Sequence, residues 1–146
     1  MLVDANILLL AVDESAQFHD MAKRWLTEQL NATPRLGIPW QSLLAFLRIS
    51  THPRAFANPL SPDRAWDHVG EWLSAPASWV PLPTDRHAEV LGSLIRTYQL
   101  RGNLVMDAEL AALAIEHGLA VCSGDTDFAR FEEIRWENPF AAGSRS

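Results

Sequence analysis

Four aspartates stand at the predicted ends of strands or at the start of a helix: Asp4, Asp107, Asp125 and Asp127. The first follows a short apolar strand predicted over residues 2–3, and the last two follow one predicted over residues 119–122. The remaining one is predicted to open a helix. Carboxylate oxygens are preferred ligands of Mg²⁺ and Mn²⁺. Two carboxylates about 4 Å apart repel by about 4 kcal/mol at an effective dielectric constant near 20, so converging acids are costly unless a cation neutralises them or some stay protonated.

Each of these aspartates also has a structural explanation when it is considered alone. Asp4 and Asp107 could each cap the helix that follows, and Asp125 and Asp127 suit a turn. Their recurrence favours the metal-site hypothesis, because open α/β sheets bind ligands at the carboxyl ends of their strands.

Short strands alternate with longer helices along the chain. Strands are predicted over residues 2–3, 36–39, 79–80, 119–122 and 134–136. Helices are predicted over residues 7–12, 18–30, 41–51, 63–73, 86–99 (with Asp85 as the N-cap) and 108–117. The helix over 41–51 is apolar on almost every side and is expected to be largely buried.

This alternation has no hairpin signal in it, which predicts an α/β fold with a central, mostly parallel sheet flanked by helices. One domain is expected over residues 1–140, followed by a flexible tail over residues 141–146.

The composition indicates a soluble, cytoplasmic protein. There is no signal-peptide pattern and no apolar run long enough to span a membrane, and the single cysteine, Cys122, cannot form an internal disulfide. The net charge of −6 argues against non-specific nucleic-acid binding through a positive surface. It does not exclude an enzyme that meets phosphates through bound cations, and it also suits a basic protein partner.

The chain resembles the PIN-domain family, and in particular the VapC-type toxins of bacterial toxin–antitoxin pairs. The resemblance extends over nearly the whole chain. Three segments carry it: Leu2-Val3-Asp4-Ala5-Asn6, Met106-Asp107-Ala108 with the helix end Glu116-His117-Gly118-Leu119, and Ser123-Gly124-Asp125-Thr126-Asp127-Phe128.

The resemblance implies a PIN-like nuclease domain that is an Mg²⁺- or Mn²⁺-dependent endoribonuclease, forms a homodimer and is neutralised by a cognate VapB-type antitoxin. The implied chemistry is in-line attack of a metal-activated water on an RNA phosphodiester. The implied catalytic and metal-binding residues are Asp4, Asp107 and Asp125, with Asp127 as a further metal ligand. Ser123 and Asn6 are expected to contact the substrate.

One departure from the family pattern concerns a glutamate on the helix after the second strand, whose place is taken by Ala45. Gln41 and Ser42 lie one turn earlier on the same face and could hold a water or a phosphate, although neither is an anion. Glu109 is a poor substitute, because two residues from Asp107 along a helix it points roughly the opposite way. The number of metal ions and their affinity are therefore left open.

Basic residues near the end of the same helix could contact RNA phosphates. Arg48, His52 and Arg54 are these residues. Cations also suit a solvated helix C-terminus because of the helix dipole, so the two explanations are balanced.

Two other functions compete with the nuclease. A PIN-fold module that binds the antitoxin with weak or no nuclease activity is the alternative that the Ala45 departure suggests. A phosphatase or receiver-like domain is disfavoured, because those chemistries use a lysine near the phosphate and the only lysine here is Lys23, far from the acids in sequence. The helices over 18–30 and 63–73 carry apolar surface for a dimer or an antitoxin groove.

Overall fold

A computed structural model describes residues 1–32 and 34–141. The tail expected over residues 141–146 lies outside the described residues except for its first member. Within the described part, no helix is long and apolar enough to cross a membrane.

A five-stranded sheet forms the centre of the described part of the chain. Its strands are β1 (Leu2–Val3), β2 (Leu36–Gly37), β3 (Ser78–Trp79), β4 (Val121–Cys122) and β5 (Trp136–Glu137). Their order across the sheet is β3-β2-β1-β4-β5, and each neighbouring pair is parallel. The predicted α/β architecture is confirmed, and β2, β4 and β5 are shorter than the predicted strands over 36–39, 119–122 and 134–136.

Helices connect these strands on both faces of the sheet. They are α1 (Ala5–Val12), α2 (His19–Leu30), α3 (Trp40–Ser50), α4 (Pro62–Ser74), α5 (His87–Tyr98) and α6 (Leu104–His117). A 3₁₀ turn, Thr126–Arg130, follows β4. Ser61 caps α4 by accepting a hydrogen bond from the Arg64 amide at 3.2 Å, and Pro62 begins that helix.

Alternate residues of the central strands point to opposite faces of the sheet and divide the core in two. Leu2 and Val121 pack with α5 and α6. Val3 and Cys122 pack with α1, α2, α3 and α4. Because both faces are covered, the strands are apolar without the alternation typical of a half-exposed sheet.

Two aspartates that were expected at helix starts do not hold those positions. Asp107 lies in the first turn of α6 instead of opening it, because Leu104 packs against the core and extends the helix by a turn. Asp85 does not cap α5, which begins at His87. The preceding loop is held instead by Glu116 of α6, whose Oε1 accepts hydrogen bonds from the amide and hydroxyl of Thr84 at 2.9 and 2.6 Å.

Helix α3 is less buried than expected. Leu43 and Phe46 are fully buried, but Leu44 is 58% exposed. The helix has core on one side only, so its apolar residues on the other side face solvent.

Candidate metal centre

The carboxyl ends of β1 and β4 form the point where the order of the sheet reverses. From β1 the chain proceeds outward to β2 and β3, and then returns to place β4 on the other side of β1. The loops after β1 and β4 must therefore diverge, and they leave a crevice between them. Asp4 follows β1 and the segment from Ser123 onward follows β4, so the fold brings them to this crevice.

Asp4 is held in one orientation by two hydrogen bonds. As the N-cap of α1, its Oδ1 accepts from the Ala5 amide at 2.8 Å, and its Oδ2 accepts from the Ser123 hydroxyl at 2.7 Å. Burial raises the pKa of Asp4 above its ordinary value, and the negative charge of Asp125 adds to the rise, whereas both hydrogen bonds oppose it. The carboxylate that caps α1 is therefore the same one that lies at the crevice.

Ser123 and Asn6 form a polar frame beneath the crevice. The Ser123 hydroxyl is fully buried and also accepts from the Asp125 amide at 2.9 Å. The Asn6 Oδ1 lies 3.4 Å from the Gly124 amide, which donates to it. A Cβ on Gly124 would lie 3.1 Å from the Asn6 amide nitrogen and 2.9 Å from the Phe140 ring, so only glycine fits without displacement.

The Ser123 side chain has no exposed surface, and its hydrogen bonds orient Asp4 and the Asp125 backbone. Its expected contact with substrate stays a prediction. Asn6 is partly buried, and its predicted contact with substrate stays a prediction.

Three further carboxylates meet above this frame. Asp107 projects from the first turn of α6, and Asp125 and Asp127 lie in the turn after β4. One carboxylate oxygen from each lies within 4.8 Å of the others. The Asp125 Oδ1 accepts from the Asp127 amide at 2.9 Å, so the turn geometry and the acidic cluster use the same residues.

The electrostatic cost of this cluster falls on Asp107. Burial raises the pKa of Asp107 to about 7. The negative charges of Asp125, Asp4 and Asp127 act in the same direction, in that order. The positive charge of Arg130 acts against them, and its Nη2 lies 3.4 Å from the Asp127 carboxylate. A carboxyl group in a crevice whose pKa is raised to near neutrality by burial and by neighbouring charges is a candidate functional residue.

Several residues considered from the sequence are not gathered at the cluster. Arg48 is exposed in the last turn of α3, about 10 Å of helical rise beyond Gln41, so its RNA contact stays a prediction. Glu109 points away, as its spacing from Asp107 predicts, and its Oε1 lies 3.6 Å from the His87 ring. Ala45 supplies no polar atom from α3.

The donor set suits a small divalent cation. Three carboxylates, one from α6 and two from the turn after β4, converge on one point, and Asp4 lies close enough for its charge to raise the pKa of Asp107. The single arginine tied to them in the described structure compensates only part of their charge. Hard oxygen ligands with open positions left for water are the typical environment of Mg²⁺ or Mn²⁺.

Two comparisons with known proteins decide the family. The PIN domain family matches residues 1–134. Ribonuclease VapC37 of Mycobacterium tuberculosis is 43% identical over 138 residues, which cover 94% of this chain and 96% of that protein. The chain belongs to the VapC group of PIN-domain proteins. Ribonuclease VapC33 of the same species is 36% identical over 136 residues, covering 93% of this chain and 95% of that protein.

Solved structures support the same fold for this PIN domain. VapBC-1 from nontypeable Haemophilus influenzae has a TM-score of 0.70 at 14% identity and covers 96% of this chain and 98% of its own. Mycobacterium tuberculosis VapC20, described as a Sarcin-Ricin loop cleaving toxin, has a TM-score of 0.64 at 18% identity, with coverages of 92% and 98%. At these identities the likeness concerns the fold alone.

Two contacts near the acidic cluster of this PIN domain were not predicted from the sequence. Arg130 lies three residues after Asp127, and this spacing on a helical turn was an available signal. Gln41 donates from its Nε2 to the Met106 carbonyl at 2.7 Å, a contact across 65 residues that no local pattern reveals.

Replacing Ser123 with alanine is expected to lower the free energy of unfolding by about 1–3 kcal/mol, because the buried Asp4 carboxylate loses a donor and the Asp125 amide loses its acceptor. Urea denaturation at neutral pH measures this. Ser50→Ala is the matched control, since Ser50 is equally buried but its hydroxyl has no partner in the described structure. Equal losses for the two variants would contradict the framing role of Ser123.

Proposed function

We propose that this chain is a metal-dependent endoribonuclease, the toxin of a toxin–antitoxin pair, and that it hydrolyses RNA phosphodiester bonds at the acidic cluster. The observation that carries the proposal is the convergence of Asp107, Asp125 and Asp127 within 4.8 Å, at the crevice between β1 and β4. Burial, together with the negative charges of Asp125, Asp4 and Asp127, raises the pKa of Asp107 to about 7, and a bound cation would favour its charged form.

In this proposal, Asp4, Asp107, Asp125 and Asp127 hold Mg²⁺ or Mn²⁺. The ion, when bound, supplies Lewis-acid stabilisation of the phosphate and a nucleophile at neutral pH. The chain supplies orientation. Ser123 and Ala5 fix the Asp4 carboxylate, and the turn after β4 fixes Asp125, so the site is organised before substrate arrives.

The relatives favour the nuclease over an inactive binding module. VapC37 and VapC33 are both named ribonucleases, and each aligns over more than nine-tenths of this chain. The Ala45 departure, which suggested the inactive module, leaves four carboxylates at the site, enough for one divalent ion.

The direct test is the cleavage of a mixed RNA pool by purified protein with Mn²⁺, with a chelator, and by the Asp4→Asn variant. Cleavage that requires the metal and is lost in the variant supports the proposal. Folded, antitoxin-free protein that cuts none of the RNA classes would favour the binding module. Cleavage that survives both chelator and substitution would refute this site.

We propose that the antitoxin binds in a groove between α2 and α4. Two adjoining cavities of about 360 and 460 Å³ share the lining residues Ala11, Val12, Lys23 and His68. They bring together the helices that the sequence marked as carrying surplus apolar surface. VapBC-1 from Haemophilus influenzae is a complex of the VapBC type, which supports a protein partner for this fold.

Filling this groove is expected to weaken the antitoxin's inhibition by at least about tenfold, equivalent to 1.4 kcal/mol. Thr27→Trp places a large side chain in the groove from the exposed side of α2 without entering the core. Inhibition of RNA cleavage by the cognate antitoxin measures the effect. Thr97→Trp, on the exposed side of α5, is the control. Equal inhibition of the two variants would place the antitoxin elsewhere.

The homodimer implied by the resemblance is also a proposal. Trp40, Leu44 and Met106 are 41%, 58% and 52% exposed. The hydrogen bond from Gln41 to Met106 shows that the first turns of α3 and α6 are neighbours, so these apolar side chains offer surface for a second copy beside the acidic cluster.

A further inference from the structure

Two successive side chains of α3 hold the backbone immediately before two of the site aspartates. The Ser42 hydroxyl donates to the carbonyl of Val3 at 2.7 Å, and Val3 precedes Asp4. The Gln41 Nε2 donates to the carbonyl of Met106 at 2.7 Å. Met106 in turn precedes Asp107. The first turn of α3 is thus tied to both β1 and α6 at the points where they deliver carboxylates.

These contacts differ in what they do for the fold. Ser42 is fully buried, and its bond joins elements that already pack together in one core. The Gln41 bond joins α3 to α6, which belong to the two different cores of the molecule. This hydrogen bond therefore connects the helices of the two cores directly, beside the acidic cluster.

Gln41 is expected to add little to the free energy of unfolding, which argues against a purely structural role. Its amide nitrogen makes one hydrogen bond, worth about 0.5–1.5 kcal/mol. Its Oε1 is buried and finds no donor among the described residues, which costs about 1–3 kcal/mol. The two terms offset each other, so the side chain contributes little to the stability of the metal-free fold.

We propose that Gln41 is a positioning residue of the metal centre, which sets the start of α6 so that the Asp107 carboxylate faces Asp125 and Asp127. This inference rests on the proposed function. Gln41 lies one turn before Ala45, the place of the glutamate that the family pattern has on this helix. In this chain α3 contributes to the centre through a hydrogen bond to the backbone instead of through an anion.

The test is the dissociation constant for Mn²⁺, measured from the electron paramagnetic resonance signal of the free ion. Gln41→Met keeps the length of the side chain and removes the donor. It is expected to weaken Mn²⁺ binding about tenfold, as the loss of a residue that orients a ligand typically does. The melting temperature in chelator should stay close to that of the original chain. Gln29→Met, on α2, is the control and should leave both quantities unchanged.

A double-mutant cycle with Asp107→Asn shows whether Gln41 acts through that aspartate. In the Asp107→Asn background, Gln41→Met should have no further effect on Mn²⁺ affinity. An equal tenfold loss in both backgrounds, or no loss in the original background, would overturn the positioning role. Mn²⁺ binding that is undetectable in the original chain, or unchanged by Asp107→Asn alone, would instead refute the metal centre of the proposed function.

Discussion

The Asp107→Asn variant is expected to cleave RNA at least about 1000-fold more slowly than the original chain at saturating Mn²⁺. Asparagine keeps the size of the side chain but removes one anion from a group of three whose oxygens lie within 4.8 Å of one another. Metal-assisted stabilisation of the transition state is worth several kcal/mol, and about 4 kcal/mol corresponds to a factor of about 1000. Single-turnover cleavage of a defined RNA measures the rate.

The control for this experiment is Asp67→Asn, which makes the same chemical change on the exposed surface of α4. It should leave the rate unchanged. Asp125→Asn should resemble Asp107→Asn, although it also weakens the turn that ends at Asp127. An Asp107→Asn protein that cuts within about tenfold of the original rate would remove this residue from the proposed metal centre, because the loss of a ligand to a catalytic ion is expected to cost more than about 1.4 kcal/mol.

The same substitution is expected to stabilise the metal-free protein at pH 8. The pKa of Asp107 is raised to about 7 in the folded chain from an ordinary value of 3.8, so the folded state binds this proton more tightly than the unfolded state. The contribution of Asp107 to the free energy of unfolding is therefore greatest below pH 3.8 and is lost as the pH rises through 7. After a discount for partial exposure, the loss is about 1–2 kcal/mol.

Melting temperatures in chelator between pH 4 and pH 8 measure this effect. Asp107→Asn should melt about 3–6 °C above the original chain at pH 8, with the difference vanishing near pH 4. Saturating Mn²⁺ should reverse the order at pH 8, because the ion stabilises only the protein that binds it. A gain that is independent of pH would show that the ionisation of Asp107 is not its source.

The residues of the site that could be predicted are those whose positions follow from local sequence patterns. Asp4 and Asp125 each follow a short apolar strand, and parallel strands place their carboxyl ends at one edge of a sheet, so the sequence order was enough to bring them together. The functions of Asp4 as a cap and Asp125 as a turn residue were weighed as alternatives to the metal site. The hydrogen bonds of both aspartates confirm the cap and the turn, and their part in a metal site stays a prediction.

The unpredictable part depends on long-range packing. Helix α6 begins at Leu104 and not near Asp107, because Leu104 packs against core residues. No local sequence pattern predicts that contact. Gln41 was recognised as a polar residue near the missing glutamate, but its bond to Met106 depends on how α3 meets α6. The exposure of Leu44 has the same origin, because an apolar helix does not reveal which of its sides the remaining helices cover.

The pairing of β1 with β4 also determines at which stage of synthesis the acidic site can form. Ser123 reaches Asp4 across 119 residues, so the centre joins the beginning of the chain to a segment near its end. A polypeptide emerging from the ribosome carries Asp4 from the outset but has neither the neighbouring strand nor the hydroxyl that orients this carboxylate. Under the proposed function, translation products that stop before Ser123 cannot cut RNA, and a ribosome is exposed to the toxin it makes only after the segment from Ser123 to Asp127 has been synthesised.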